Sequence, residues 1–111
     1  MECRTKIYLV DEQGNPFWGS GAVLLLEKTQ ETGSLNAAAK ELGMAYTKAL
    51  KLIRRAEAGL DCKLLERRIG GSGGGGSALT EAARAELSRY EAFCQECRAA
   101  ADRLFAEHYG K

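Results

Sequence analysis

Ala39, Gly43, Ala49 and Leu52 follow one another at intervals of four, six and three residues. That spacing restricts the chain more than any other feature in it. Two helices that cross steeply at short range need small residues where they touch, which Ala39 and Ala49 supply. The turn between them needs a residue tolerant of positive φ, which Gly43 supplies. Leu42, Leu52 and Ile53 fall on the inner faces. Ser34 is placed to cap a short Ala-rich helix over residues 35–42. The next helix runs over about 46–58, with Gly59 as its stop. The spacing predicts a helix-turn-helix over residues 34–58.

Opposite the inner face, the second of these helices presents Thr47, Lys48, Lys51, Arg54 and Arg55 within about half its circumference. Four cations and a hydroxyl suit phosphates and base edges, and arginine can bridge a guanine through two donors. A solvated helix face has the same composition; the turn motif is what favours duplex DNA. The net charge of +1 divides unevenly, as −2 over residues 1–33, +4 over 34–79 and −1 over 80–111. A polyanionic partner would therefore be met by the middle of the chain.

Around this centre, Thr5-Lys6-Ile7-Tyr8-Leu9-Val10 alternates like a strand and runs into a turn, Asp11-Glu12-Gln13-Gly14-Asn15-Pro16. Ser20 is placed to cap a first helix through Thr32, with Gly33 as its stop. Leu64-Leu65-Glu66-Arg67-Arg68-Ile69 reads as a strand and Ala78-Leu79 as its return. The tract Gly70-Gly71-Ser72-Gly73-Gly74-Gly75-Gly76-Ser77 between them has the composition of a flexible linker. Its place between two short apolar stretches suits the tip of a β-ribbon.

The segments Gly33-Ser34-Leu35-Asn36-Ala37-Ala38-Ala39, Gly43-Met44-Ala45-Tyr46, the glycine tract 70–76 and Leu79-Thr80 resemble the N-terminal DNA-binding domain of the ModE family. That domain is itself similar to the LysR-type winged helix. The resemblance covers roughly residues 20–92 and identifies the glycine tract as the family's wing. It implies a mainly α fold with a small β wing: a winged helix-turn-helix over 1–79 (strand 5–10, wing 64–79) and a long C-terminal helix over 80–111. It further implies a recognition helix after Met44 in the major groove, with Tyr46, Thr47, Lys48 and Lys51 nearest its reading end. Backbone amides at Ser34 and Leu35 would meet a phosphate. Arg67, Arg68, Ser72 and Gly73 of the wing would approach an adjacent backbone. Ala45 departs from the pattern, which commonly has a hydroxyl residue there. The family's regulators carry molybdate-binding domains beyond this region, so the expectation is a free-standing relative with no small-molecule pocket inferable.

From Ala83 onward, Leu87, Tyr90, Cys94, Cys97, Ala101, Leu104 and His108 recur at steps of four and three, an a/d seam widened by Phe93 and Phe105. A helix of about 28 residues would be roughly 42 Å long, more than one small winged domain covers. The expectation is a homodimer through Leu87, Tyr90, Cys94, Cys97, Ala101 and Leu104, with two recognition helices roughly 34 Å apart.

Cys94-Gln95-Glu96-Cys97 invites a metal or redox reading. Zinc wants four N/S ligands and no second pair is present, whereas buried small apolar side chains suit the seam. Four cysteines at 3, 62, 94 and 97 are too irregular for a disulfide framework. The longest apolar run is Ala22 to Leu26, too short for a membrane span. Met1-Glu2-Cys3-Arg4 carries no export signal, so a cytoplasmic location is expected. No nucleophile–base pair is present, and the glycine tract lacks the Gly-Lys-Ser/Thr ending of a nucleotide phosphate loop. The sequence therefore points to a DNA-binding transcriptional regulator without catalysis or cofactor. The alternatives are a protein-interaction module on the same fold, or a regulator responding to metal or redox through Cys94 and Cys97.

Overall fold

The computed structural model describes residues 1–68 and 76–110. In chain order they form β1 (Leu9–Val10), β2 (Pro16–Trp18), α1 (Ser20–Thr32), α2 (Leu35–Glu41), α3 (Tyr46–Leu60), β3 (Leu65–Arg68), β4 (Gly76–Leu79) and α4 (Glu81–Tyr109). The α2–α3 turn follows the sequence closely. Ser34 caps α2 by accepting the Ala37 N–H at 2.9 Å. Gly43 adopts φ +66°, and the Met44 N–H closes the turn on the Ala39 carbonyl at 2.8 Å. Ala38, Ala39 and Ala49 are buried where the helices cross, so the two backbones approach without a bulky side chain between them.

Two helix ends differ from expectation. Gly19, not Ser20, holds the cap position of α1 and makes no side-chain bond there. α3 continues through Gly59 to Leu60, and its stop is Asp61 in the left-handed region at φ 55°. Gly59 has a packing role instead. A Cβ placed on it would lie 2.1 Å from the Phe17 ring. The glycine lets β2 rest directly on the end of α3.

The expected strand over 5–10 shrinks to Leu9–Val10, paired antiparallel with β2 through an irregular register. The Ile7 carbonyl is taken by the Tyr90 hydroxyl of α4 instead of a ladder partner. Pro16 brings no N–H to the short ribbon. The Asp11 carboxylate closes the intervening turn by accepting the Gln13 and Asn15 N–H groups, each at 2.9 Å. Residues before β1 lie along α4, where Cys3, Arg4 and Thr5 share a hollow with Arg98, Ala101 and Asp102.

β3 and β4 form the antiparallel wing, in register from Leu65 opposite Leu79 to Arg68 opposite Gly76. Leu64, placed in the strand by the sequence, precedes it and is fully buried in the core with Trp18, Leu25, Leu26, Leu35, Leu79 and Ala83. Thr80 joins wing to helix: its hydroxyl oxygen accepts the Ala83 N–H at 3.0 Å and its O–H donates to the Lys63 carbonyl at 2.7 Å. α4 then runs for 29 residues, about 43 Å, and the molecule measures 57 × 29 × 25 Å. The fold is mainly α with a small β wing, a winged helix-turn-helix carrying a long final helix.

Gly59→Ala separates propensity from packing. In an open helix the change would stabilise by about 0.5–1 kcal/mol. Here the collision with Phe17 reverses the sign, and a loss of about 1–3 kcal/mol is expected in thermal or urea unfolding. Phe17→Leu in the same chain should restore part of it.

Candidate nucleic-acid interface

On α3, Ala49, Ile53 and Ala56 turn inward, which leaves Thr47, Lys48, Lys51, Arg54 and Arg55 exposed on the other side. Among the described residues, none of these four cations pairs with a carboxylate. The first turn of α3 contains no acidic residue, and Ala45 offers no side-chain cap. Lys48 sits at that amino end against the helix dipole, a placement that costs a few tenths of a kcal/mol to about 1 kcal/mol. The first turn of α3 thus supplies no counter-charge of its own.

Between α3, the start of α2 and the wing lies an open groove of about 760 Å³, with Ser34, Tyr46, Arg54, Lys63 and Arg67 among the residues that line it. Tyr46 is 46 % exposed at the amino end of α3. Leu35 contributes only backbone, because its side chain is buried in the core. The wing is held against the helices by a hydrogen bond from the Ser77 N–H to the Gly33 carbonyl at 2.9 Å. A Cβ on Gly76 would lie 2.4 Å from that same carbonyl. For this glycine the close approach is to the chain's own backbone.

The expected contact residues separate into groups. Ser34, Leu35, Tyr46, Arg54 and Arg67 border the wing-side groove. Arg55 lies on the opposite flank of α3, where it lines a smaller hollow with Lys6, Tyr8 and Leu52. Arg68 folds back over the α1–α2 turn, its guanidinium only 2.6 Å from where a Cβ on Gly33 would stand. Ser72 and Gly73 lie outside the described residues. Sequence reasoning missed Lys63, Asn36 and two carboxylates in the groove, Glu57 and Glu66. Glu57 is tied down by accepting the Leu64 N–H at 2.9 Å. Lys63 lies between α3 and β3, where helical periodicity carries no signal.

On α4, Leu87 and Tyr90 pack against the core, and Cys94 is buried. Cys97 and Ala101 are half-buried, whereas Phe93 and Leu104 are 48 % and 47 % exposed. Of the expected seam, Leu87 to Ala101 are thus buried or half-buried by the chain itself, and Leu104 is exposed, with Phe93 on the same flank of α4. Burial pushes the Tyr90 hydroxyl above its ordinary pKa, which keeps it a neutral donor to Ile7. Burial, with Glu86, Glu57 and Asp61 nearby, likewise raises the Cys62 thiol and disfavours the reactive thiolate. Among the described residues, no group of three or more His, Cys, Asp or Glu side chains is placed to hold a metal ion. No described helix is long and apolar enough to cross a membrane.

Residues 22–84 match the model of the bacterial regulatory helix-turn-helix proteins of the lysR family. The chain belongs to this family. As a LysR-type protein it carries the DNA-binding helix-turn-helix of a family of transcriptional regulators. It is similar to the transcriptional regulator ModE of Haemophilus influenzae, with 39% identity over 69 residues, covering 62% of this chain and 27% of that protein. It is also similar to the molybdenum transport protein ModE of Herbaspirillum seropedicae, 42% identical over 59 residues, with 53% and 22% covered. The chain therefore spans about a quarter of the length of these curated relatives. Among solved structures it resembles the CbnR DNA-binding domain in complex with DNA, with a TM-score of 0.57 and 26% identity over 78% of this chain and 94% of that one. CbnR itself, a LysR family transcriptional regulator, superposes with a TM-score of 0.56 and 27% identity over 78% of this chain and 28% of that one.

Gly33 meets two demands, φ +84° and room for Arg68. Gly33→Ala should lower stability by on the order of 1–2 kcal/mol through strain at positive φ. Amide exchange should quicken at Ser77, whose N–H bonds to the Gly33 carbonyl.

Proposed function

We propose that this LysR-type chain binds duplex DNA as a homodimer, with α3 in the major groove and the wing against a neighbouring phosphate strand. The observation that carries this reading is the outward face of α3, whose cations have no carboxylate partner among the described residues. Tyr46, Thr47, Lys48 and Lys51 would stand nearest the bases, and Ser34, the Leu35 amide and Arg67 nearest phosphates. The likeness to the CbnR DNA-binding domain, solved in complex with DNA, supports DNA as the partner.

The test is Lys51→Ala with Arg54→Ala. Both side chains are exposed, so the melting temperature should hold while duplex affinity falls by at least about tenfold at low salt, each lost contact to a charged group being worth roughly 1.5–3 kcal/mol. Fluorescence anisotropy on sites enriched from random duplex DNA measures this. Unchanged affinity would move the reading face elsewhere.

Pairing through α4 is supported by the apolar side chains that one flank of the helix leaves in solvent, Phe93 and Leu104. On another side of α4, Val23 and Leu24 of α1 and Leu87 and Cys94 of α4 border a separate groove of about 540 Å³. Phe93→Asp with Leu104→Asp should give monomers in sedimentation velocity, without touching the core that Leu87 helps to fill. A dimer that survives both changes would locate the seam on another surface.

A further inference from the structure

We propose that the N-terminal segment ahead of α1 is a second phosphate-binding arm, which grips the DNA strand on the flank of α3 opposite the wing. The inference rests on the reading of α3 as the helix that enters the major groove. The groove is about 12 Å wide, and a helix with its side chains measures about 10–12 Å across. A helix that fills the groove therefore has a phosphate strand along each flank. The wing, Ser34 and Arg67 serve one of them.

The other flank carries a hollow of about 320 Å³ whose lining includes Lys6, Tyr8, Leu52 and Arg55. The two cations come from different parts of the chain, and neither pairs with a carboxylate among the described residues. None of the residues that line the hollow is acidic, in contrast to the wing-side groove with Glu57 and Glu66. Charge complementarity thus favours a phosphodiester strand. Tyr8, 51 % exposed, also lines the hollow and carries no charge that would oppose a phosphate. The amino end of α1, without an acidic residue in its first turn, adds partial positive charge beside it.

The arm is anchored on both sides. The Tyr90 hydroxyl of α4 donates to the Ile7 carbonyl. Gly19 lets the backbone of α1 meet Tyr8, whose Cβ would stand 3.0 Å from a Cβ on that glycine. Lys6 is therefore presented by a fixed backbone. The family match begins at residue 22, so the arm lies on a part of the chain that the family comparison does not assign.

The experiment compares the wild type, Lys6→Ala, Lys6→Arg and Lys51→Ala on two duplexes of about 30 bp, one enriched from a random pool and one of unrelated sequence. Affinity is measured by anisotropy across roughly 50 to 200 mM salt, where each phosphate contact contributes a slope of about −0.9 in log K against log salt. Lys6→Ala should flatten the slope by about 0.9 on both duplexes, shrinking the loss of affinity over that range by about three- to fourfold. Lys6→Arg, which keeps the charge, should retain the wild-type slope. Phosphate ethylation interference should disappear along one edge of the half-site in Lys6→Ala. If Lys6→Ala matches the wild type on both duplexes while Lys51→Ala binds more weakly, the arm is overturned and the reading of α3 stands. If the wild type binds neither duplex, both fall together.

Discussion

The small side chains of Ala39 on α2 and Ala49 on α3, both buried in the common core, set the distance from which everything else on this molecule is built. With a methyl group on each side, α2 and α3 cross at close range, and Gly43 turns the chain between them in four residues. A larger side chain at either position would lift α3 off α2, tilt its cations and open a gap beside Ile53. The core behind the crossing is correspondingly small, filled by Leu25, Leu26, Leu35, Leu64 and Trp18. In so small a core, the position of α3 follows from a few short contacts rather than from bulk.

The wing depends on the same economy of side chains. Its inner edge meets the helices at the Gly33 carbonyl, with Gly76 approaching from one side and Arg68 folded across the turn. The wing is thus fixed to the α1–α2 turn, next to the capping hydroxyl of Ser34. α3, the start of α2 and the wing consequently form one continuous concave surface whose curvature is determined by backbone contacts. Its charge is mixed on the wing side, where Glu57 and Glu66 sit among the cations, and uniformly positive on the flank of Lys6 and Arg55.

Most of this was legible in the sequence wherever one local rule acted alone. Small residues at the crossing, glycine at positive φ, the Ser34 cap and the inward face of α3 each need only near neighbours in the chain. The errors arose where a distant residue decided. Gly59 reads as a helix stop until Phe17 is seen lying on it. The alternation over 5–10 reads as a strand until Tyr90, far along the chain, claims the Ile7 carbonyl. Arg54 and Arg55 are adjacent in sequence and share the outward arc, yet they border different hollows because the flanks of α3 meet different elements. Lys63 belongs to no periodic element, and its place in the groove comes from the chain reversal before β3.

Thr80 has a mechanical consequence. One hydroxyl both starts α4 and grips the carbonyl that precedes the wing, so the direction of the long helix is set at a single residue beside the wing. A tilt of about 5° at that base would carry the far end of α4 sideways by roughly 4 Å over its length of about 43 Å. In a two-fold pair joined along such helices, the separation of the two reading surfaces would be an angular quantity, adjusted at the pivot and read out a full helix length away.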